Sequence, residues 1–285
     1  MNDGFIDRRQ ALVGLLALGA SGAQAQGELA DLARMRASGV LKVAVYKDNA
    51  PFSSGPAHAM DGLDVDLAGA LARQLQLRLQ LMPFDAGENM GDDLRNMVWR
   101  GHYLGYGPAD LMLHVPVDKH LIQQTRQALI FAPYMRQVPV LLHDTRALPE
   151  VATPQDLQGH RLAAERGTGT ASVLMGQGGG LLREQVTLCR SGVEAAQSVL
   201  RGEADAAYVL RSQAEAVLAG VAGARCRITA LPLGRMPVQG WPIGLAIRAA
   251  DKDLGQGLEQ ALRELRASGE MLALFQKRGM TLTAP

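Results

Sequence analysis

Histidine and cysteine often hold metals or do covalent chemistry, and this chain contains few of them. It has six histidines and two cysteines, and His102, His114 and His120 follow none of the spacings of a compact metal site. Neither Cys189 nor Cys226 belongs to a Cys-x-x-Cys pair or has a histidine nearby. We therefore expect no metal, no cofactor, and histidines that are hydrogen-bonded or solvated.

Carboxylates could act as an acid and a base if two of them were held in different environments. Asp64 and Asp66 stand at the start of a predicted helix, a position that is more typical of capping. Asp48 and Glu88 are the best candidates for a catalytic carboxylate, and the sequence shows no partner for either. No nucleophile motif or phosphate-binding loop accompanies them, so we expect no catalytic residues and a protein that is not an enzyme.

One segment carries residues suited to holding an anion. Thr168, Gly169 and Thr170 precede a predicted helix, and the N–H groups at a helix N-terminus attract negative charge. Ordinary capping of that helix by Thr170 is the alternative.

The segment 99–108 is rich in aromatic side chains, although the chain as a whole is only 4% aromatic. It contains Trp99, Tyr103 and Tyr106 together with three glycines. Tyr and Trp are favoured as anchors in protein interfaces. We therefore predict that this segment contacts a partner protein or forms the rim of a cleft, with a packed surface loop as the alternative.

Composition and charge restrict the class of protein further. The chain has 285 residues, of which 47% are hydrophobic and 20% charged, enough for a buried core in one large or two medium domains. Its net charge of +1 gives no field that would hold a nucleic acid. Beyond the N-terminus no apolar run reaches the ~18 residues that span a bilayer, so we expect no membrane span in the mature chain.

The N-terminus is typical of an export signal. Arg8 and Arg9 precede an apolar stretch that ends in the small residues a signal peptidase accepts. We predict a cleaved signal at 1–25 of the twin-arginine type, with a Sec signal as the alternative, and a periplasmic protein. In that oxidising compartment Cys189 and Cys226 could pair, or they could be two small buried residues.

Hydrophobic periodicity predicts alternating strands and helices. A strand at 40–46, a helix at 63–76 and a strand at 77–81 make a parallel βαβ unit, and a helix around 92–98 and a strand at 110–115 continue it. A second series has strands at 161–164, 186–188 and 205–209 and helices at 171–175, 194–200, 213–218 and 254–267. Two α/β units predict a bilobed protein with a ligand-binding cleft.

Eight short segments occur in a particular order along the chain. They are LKVAV at 41–45, APFS at 50–53, GLDVDL at 62–67, FAPY at 131–134, DLQG at 156–159, GT at 167–168, GEADA at 202–206 and LRASGE at 265–270. This order resembles that of the family 3 extracellular solute-binding proteins, the periplasmic components of ABC transporters for polar amino acids. The resemblance extends over 39–279.

The resemblance implies a two-lobed α/β fold of the type II periplasmic-binding-protein kind, in which each lobe is a doubly wound sheet with helices on both faces. Lobe 1 would comprise 39–134 and 243–285, and lobe 2 would comprise 135–242. The chain would cross between the lobes near 133–137 and near 239–242. We expect a monomer in which a hinge motion closes the lobes over a ligand.

The resemblance also implies a ligand site, from which this sequence departs at three positions. Lys119 lies where an arginine forks onto the ligand carboxylate, Leu210 replaces an aspartate that takes the ligand ammonium, and Asn49 replaces an aromatic that covers the ligand. We therefore expect weak binding of ordinary amino acids and a small polar or anionic ligand. The expected ligand-binding residues are Tyr46, Asn49, Phe52, His114, Lys119, Tyr134, Thr168, Gly169, Thr170 and Tyr208.

A second, narrower resemblance involves 48–53, 95–96 and 109–116. These segments are similar to solute-binding-like proteins associated with periplasmic quinoprotein (PQQ) alcohol dehydrogenases and their c-type cytochromes. They imply an accessory role in which the dehydrogenase or cytochrome is the partner. Two alternatives stay open: a substrate-binding component that serves an ABC permease for amino-acid-like solutes, and a periplasmic lyase similar to cyclohexadienyl dehydratase.

Overall fold

The computed structural model of the chain describes residues 30–221 and 223–285, and the predicted export signal at 1–25 lies outside them. The described residues form two five-stranded sheets flanked by helices, which confirms the predicted two-lobed α/β fold. No helix within these ranges is long and apolar enough to cross a membrane.

The strands are β1 (Val40–Tyr46), β2 (Asp48–Asn49), β3 (Ser53–Ser54), β4 (Arg78–Phe84), β5 (Leu111–Pro116), β6 (Ala128–Gln137), β7 (Pro139–Asp144), β8 (Leu162–Glu165), β9 (Val186–Cys189), β10 (Ala206–Leu210), β11 (Cys226–Thr229) and β12 (Trp241–Arg248). The α-helices are α1 (Ala30–Ser38), α2 (Leu63–Gln74), α3 (Met90–Leu94), α4 (Lys119–Gln124), α5 (Gly169–Gly176), α6 (Gly192–Leu200), α7 (Arg211–Ala219), α8 (Lys252–Ala267) and α9 (Glu270–Lys277).

The two sheets share one design. The strand order is β4-β1-β5-β12-β6 in lobe 1 and β11-β7-β10-β8-β9 in lobe 2. In lobe 1, β1 pairs in parallel with β4 and β5, whereas β12 runs antiparallel to β5 and β6. In lobe 2, β8 pairs in parallel with β9 and β10. Parallel strands end at a common edge, and ligands of α/β sheets bind outside such edges.

Both sheets are covered on two faces. In β1 the side chains of Leu41, Val43 and Val45 belong to one buried cluster, and Ala44 between them belongs to another. Successive side chains of a strand point to opposite faces, so a strand that is buried on both faces must be apolar throughout. This accounts for the continuous apolar run that predicted β1.

The chain passes between the sheets twice. β6 runs to Gln137 in the sheet of lobe 1, β7 begins in lobe 2 at Pro139, and β12 returns to lobe 1 at Trp241. Gly240 stands just before the return with φ +66°, and a Cβ there would overlap the Gln137 carbonyl. β6 continues past the predicted lobe boundary at 134, and β12 begins before the predicted boundary at 243. The two lobe boundaries stay predictions.

The two cysteines do not pair. Cys189 lies in β9 and Cys226 in β11, the two opposite edges of the lobe 2 sheet, and both thiols are free. Strands in a sheet are ~4.8 Å apart, so two edge strands of this sheet lie far beyond the range of a disulfide. Of the two possibilities that the sequence left open, a bridge does not form; the alternative of two small buried residues holds for Cys189, whereas Cys226 is only half-buried.

Candidate functional site

A cavity of about 550 Å³ lies between the two lobes. Lobe 1 contributes the ends of β1, β4 and β5 and the start of the antiparallel β12, which meet at one edge of the sheet. Lobe 2 contributes the ends of β8 and β10 and the starts of α5 and α7. The lining residues are Tyr46, Lys47, Asp48, Asn49, Phe84, Asp85, Ala86, Met90, His114, Pro116, Gln137, Glu165, Thr168, Gly169, Thr170, Leu210, Gln213, Trp241 and Ile243.

A buried hydrogen-bond network supports the lobe 1 wall of this cavity. The Tyr134 hydroxyl donates to Asp64 Oδ1 at 2.7 Å, and His114 Nδ1 lies 2.8 Å from Asp64 Oδ2. On the other side of the ring, His114 Nε2 lies 2.7 Å from the Gln137 side-chain nitrogen. An ionised carboxylate only accepts, so Nδ1 donates to Asp64 and Nε2 accepts from the Gln137 amide.

Burial fixes the roles of this network. Asp64 is 1% exposed and Tyr134 is fully buried. Burial, followed by the neighbouring Asp64 charge, raises the pKa of Tyr134 well above its usual range, so the phenol stays a donor. The network therefore bonds both oxygens of Asp64 and both ring nitrogens of His114, and it holds the wall in place.

His114 has a left-handed backbone conformation, with φ +64°. Non-glycine residues seldom adopt this region, and they often do so near functional sites. The ring also packs against Phe52 with centroids 4.3 Å apart. The strained backbone thus places the imidazole between Asp64 and Gln137 at the floor of the cavity.

A second carboxylate lies behind Tyr46. The Tyr46 hydroxyl donates to Asp93 Oδ2 at 2.8 Å, and the N–H of Gly87 donates to Asp93 Oδ1 at 2.7 Å. Burial raises the pKa of Asp93, and it raises the pKa of Tyr46 well above its usual range. The Tyr46 ring also lies 4.6 Å from that of Phe84. These contacts fix the aromatic part of the wall.

The lobe 2 wall carries Glu165 at the end of β8. Its Oε2 accepts from the Gly192 N–H at 2.9 Å and from the Gln213 amide at 3.3 Å. Burial raises the pKa of Glu165 above its usual value, although these two donors oppose the shift. A Cβ at Gly192 would overlap the Gln213 amide, so a larger residue there would displace the Gln213 side chain from Glu165.

The charge of the cavity is acidic. Three carboxylates line it, those of Asp48, Asp85 and Glu165. Lys47 is the one lysine or arginine among the lining residues that the structure describes, and its Nζ is 2.7 Å from Asp85. One cation therefore faces three carboxylates and already pairs with one of them.

The structure brings six of the ten expected ligand-binding residues to the cavity. They are Tyr46, Asn49, His114, Thr168, Gly169 and Thr170. Thr168 rather than Thr170 caps α5, since its hydroxyl accepts from the Ala171 N–H at 3.2 Å. Thr170 is buried and bonds to the Thr168 hydroxyl at 2.8 Å.

The other four lie elsewhere. Phe52 and Tyr134 are fully buried behind the lobe 1 wall. Tyr208 faces the interior of lobe 2, where its hydroxyl donates to the Leu231 carbonyl at 3.2 Å. Lys119 is exposed in the first turn of α4 and does not line the cavity. Alternation along β10 explains Tyr208, because it shares the face of the buried Ala206.

Several functional candidates were missed or misread from the sequence. Asp64 and Asp66 do not cap α2, whose N-terminus at Gly62 has no side-chain cap. Asp64 supports the wall, and Asp66 instead pairs with Arg278 at 2.7 Å. Glu165 carries a usable signal, since it is a polar residue at the carboxyl end of a predicted strand.

The aromatic segment 99–108 divides into two parts. Trp99 packs partly buried against the lobe 1 core, whereas Tyr103 is 88% exposed and Tyr106 is 37% exposed. The His102 ring lies 4.3 Å from each tyrosine ring. Contact between this segment and a partner protein stays a proposal.

No group of His, Cys, Asp and Glu within the described ranges is arranged to hold a metal ion. His102 Nδ1 accepts from the Leu104 N–H at 3.2 Å, and His120 Nε2 is 2.8 Å from the Gln124 amide. Both histidines are thus hydrogen-bonded locally.

The solved structures with a similar fold include three amino-acid-binding proteins. An ancestral cationic amino-acid solute-binding protein matches with a TM-score of 0.69 and 22% identity over 87% of this chain and 99% of that chain. An amino-acid ABC transporter substrate-binding protein from Streptococcus pneumoniae, bound to L-arginine, has a TM-score of 0.62 and 20% identity over 88% and 99%. An ancestral amino-acid-binding protein described as a precursor of cyclohexadienyl dehydratase has a TM-score of 0.59 and 21% identity over 87% and 98%.

No protein-family model matches the chain, and no curated protein matches it. At the identities just given, the structural similarity shows the fold and not the ligand. The similar structures are amino-acid-binding proteins, as the first sequence resemblance predicts. The association with a quinoprotein dehydrogenase stays a prediction.

Proposed function

We propose that this protein binds a small, amino-acid-like solute that carries a cationic group, and that its lobes close over that solute. The observation that carries the proposal is the charge of the cleft. Asp48, Asp85 and Glu165 line it, and Lys47 is already paired with Asp85. An anion would meet uncompensated carboxylates, so the cavity disfavours the anionic ligand expected from the sequence.

Glu165 is the residue we assign to the cationic group. Both of its protein donors bind the same oxygen, Oε2, which leaves Oε1 for the solute. Glu165 lines the cavity together with Leu210, the position at which the sequence lacks the expected ammonium-binding aspartate. A carboxylate on the neighbouring strand therefore supplies the charge that Leu210 does not.

The solute carboxylate would lie at the start of α5. Thr168, Gly169 and Thr170 line the cavity there, and the Thr168 side chain already caps the Ala171 N–H. The first N–H groups of a helix favour an anion. The same cavity can thus offer a partner to each of the two opposite charges of an amino acid.

The solved structures support this assignment of ligand class. Two of the similar proteins are linked to cationic amino acids. One is a cationic amino-acid solute-binding protein, and the other is bound to L-arginine. Delivery of such a solute to an ABC permease from the periplasm is the role we assign to this chain. This proposal replaces the accessory role as the main one.

The catalytic candidates that the sequence offered do not support a dehydratase. His114 Nε2 is occupied by Gln137 and Nδ1 by Asp64, so neither ring nitrogen is free for proton transfer to a ligand. Glu88 does not line the cavity, and Asp48, which does line it, is exposed. We therefore propose a binding protein without catalytic residues.

Isothermal titration calorimetry with L-arginine, L-lysine and L-glutamate tests the proposal. We expect the basic amino acids to bind more tightly than L-glutamate, and Glu165→Gln to weaken their binding at least ~10-fold, since a charged hydrogen bond is lost. Glu203→Gln is the matched control, because Glu203 pairs with Arg201 outside this cavity. Tighter binding of L-glutamate, or equal binding by both variants, would contradict the proposal.

A further inference from the structure

The last residues of the chain contact both lobes. We call residues 279–285, which follow α9, the C-terminal tail. The tail starts from a fixed point on lobe 1, because the Arg278 side chain is only 16% exposed and donates to Asp61 at 2.6 Å and to Asp66 at 2.7 Å. Asp66 lies in α2 of lobe 1, and Asp61 lies just before that helix. The beginning of the tail is therefore held in place relative to lobe 1.

The tail then contacts α7, which packs on the lobe 2 sheet. The Thr281 N–H donates to Glu215 Oε2 at 2.7 Å. Gly279 lies so close to Ala219 that a Cβ on the glycine would overlap the alanine side chain. Ala216 packs against the buried cluster of lobe 1. Residues 215, 216 and 219 share one face of a helix, so lobe 1 and its tail hold one face of this lobe 2 helix.

The tail also contacts the two strands that cross between the lobes. The Thr283 carbonyl accepts from the Arg136 N–H at 3.0 Å, in the first crossing strand. The Arg136 guanidinium donates to the carbonyls of Gln239 and Gly240 at 3.3 and 3.2 Å, just before the second crossing strand. Met280 is 3% exposed and belongs to the lobe 1 core. The tail is thus bonded to the hinge as well as to α7.

α7 connects these contacts to the cavity. Leu210 and Gln213 at the start of the helix line the cavity, and the Gln213 amide donates to Glu165 at 3.3 Å. The helix has nine residues, Arg211–Ala219, and is about 13 Å long. A displacement of the end that the tail holds would therefore displace the end that lines the cavity.

We propose that the C-terminal tail is a third connection between the lobes, beside the two crossing strands, and that it positions α7 and the lobe 2 wall relative to lobe 1. The inference concerns how the lobes are held, so it goes beyond the proposed function and applies to any solute.

A distance measured between the lobes in solution tests this inference. Spin labels at Glu150→Cys in lobe 2 and Gln256→Cys in lobe 1, two exposed positions, are measured by double electron–electron resonance. Both native cysteines are free and are first replaced by alanine.

Deletion of 281–285 is the main variant, because it removes the bonds to Glu215 and Arg136 and keeps the buried Met280. We expect the deletion to broaden the distance distribution of the solute-free protein, since the two crossing strands alone would permit a wider hinge motion. A distribution identical to that of the full-length chain would overturn the inference.

Point variants isolate the bond between the tail and α7. Glu215→Ala removes the acceptor of the Thr281 N–H and should also broaden the distribution. Glu215→Gln keeps an oxygen acceptor and Thr281→Ala keeps the backbone N–H, so both should match the full-length chain. Equal distributions for Glu215→Ala and Glu215→Gln would overturn the inference. If the deletion variant does not fold, as judged by circular dichroism, these point variants still decide.

Calorimetry with L-arginine tests the consequence for the cavity. We expect the deletion to weaken binding at least ~3-fold, which corresponds to a binding-competent arrangement that only about a third of the molecules adopt. Equal affinities of the deletion variant and the full-length chain would overturn the role of the tail in positioning the lobe 2 wall. Absence of binding by the full-length chain would contradict the proposed function instead, and the distance measurement would still decide this inference.

Discussion

Each wall of the cleft holds a carboxylate, the buried Asp64 in lobe 1 and the half-buried Glu165 in lobe 2, and the two are satisfied differently. In lobe 1, both oxygens of Asp64 are bonded, one to Tyr134 and one to His114. In lobe 2, both donors to Glu165 meet a single oxygen. A carboxylate whose bonds are complete serves the fold, whereas one that is only partly satisfied can still bind a ligand. The two residues should therefore respond to mutation in opposite ways.

The largest effect should come from breaking the lobe 1 network. Asp64→Ala leaves the Tyr134 hydroxyl and the His114 Nδ1–H buried without an acceptor, which should cost about 3 kcal/mol of unfolding free energy. Urea denaturation followed by circular dichroism measures the loss. Arg73→Ala, on the same helix, removes a more exposed ion pair with Glu270 and should cost about 1 kcal/mol or less. Equal losses in the two variants would mean that the network is not a support.

Glu165→Gln should leave stability unchanged or raise it, whereas Asp64→Ala should lower it. The folded pKa of Glu165 is raised above 4.5 by burial, so ionisation costs the folded state more than the unfolded one. Stability linked to this group is highest below 4.5 and is lost as pH rises through the raised pKa. Because glutamine does not ionise, the Glu165→Gln variant does not lose stability in this way. At neutral pH it should therefore melt at the same temperature as the parent protein or at a higher one.

Melting curves of both proteins between about pH 4 and pH 8 check this difference. The gap between the variant and the parent should widen as pH rises. Binding of a cationic solute by the parent should weaken as pH falls through the raised pKa, because the carboxylate is then neutral. A variant that melts lower than the parent at every pH would instead make Glu165 a support like Asp64.

The exposed part of the aromatic segment 99–108 should matter less to stability than either wall of the cleft. Tyr103 is 88% exposed, so Tyr103→Ala should lower the melting temperature by no more than about 2 °C. Tyr134→Phe, which removes one buried hydroxyl, is the internal comparison and should cost about 1 kcal/mol. If the segment 99–108 contacts a partner, Tyr103→Ala should reduce capture of that partner from periplasmic extract, and Tyr134→Phe should not. Unchanged capture would argue against that contact.

The smallest effect concerns the cysteines. Cys189 and Cys226 lie at opposite edges of the lobe 2 sheet, so a reductant should shift the melting temperature by less than about 1 °C. Thiol titration of the unfolded protein should find two free groups. A single thiol pair that becomes reactive only after reduction would overturn the strand order of lobe 2.

Most strands and helices could be predicted because their signals are local. The strand expected at 40–46 is β1, Val40–Tyr46, and the helix expected at 254–267 lies within α8, Lys252–Ala267. Neither β6 nor β7 was predicted, and Pro133 and Pro139 within them argue against central strands when only the sequence is considered. Which sheet each of them joins is decided by tertiary packing alone.

The site was predictable only where topology places a residue. Tyr46, His114 and Thr168 follow or end predicted strands and line the cavity. The support network was not predictable, because Asp64 is 50 residues from His114 and 70 from Tyr134. No pattern along the chain records such contacts, and a helix-start aspartate looks the same whether it is exposed or buried.

The order in which the strands are made has a consequence for synthesis. β12 lies between β5 and β6 in the lobe 1 sheet, yet it follows all of lobe 2 in the chain. β6 has no other neighbour in that sheet, so on the ribosome its edges stay unpaired until β12 emerges. Lobe 2, being continuous, should be the first unit to fold. A nascent chain arrested before Trp241 would then carry a finished lobe 2 beside an unfinished lobe 1, and its exposed β6 is where a chaperone should bind.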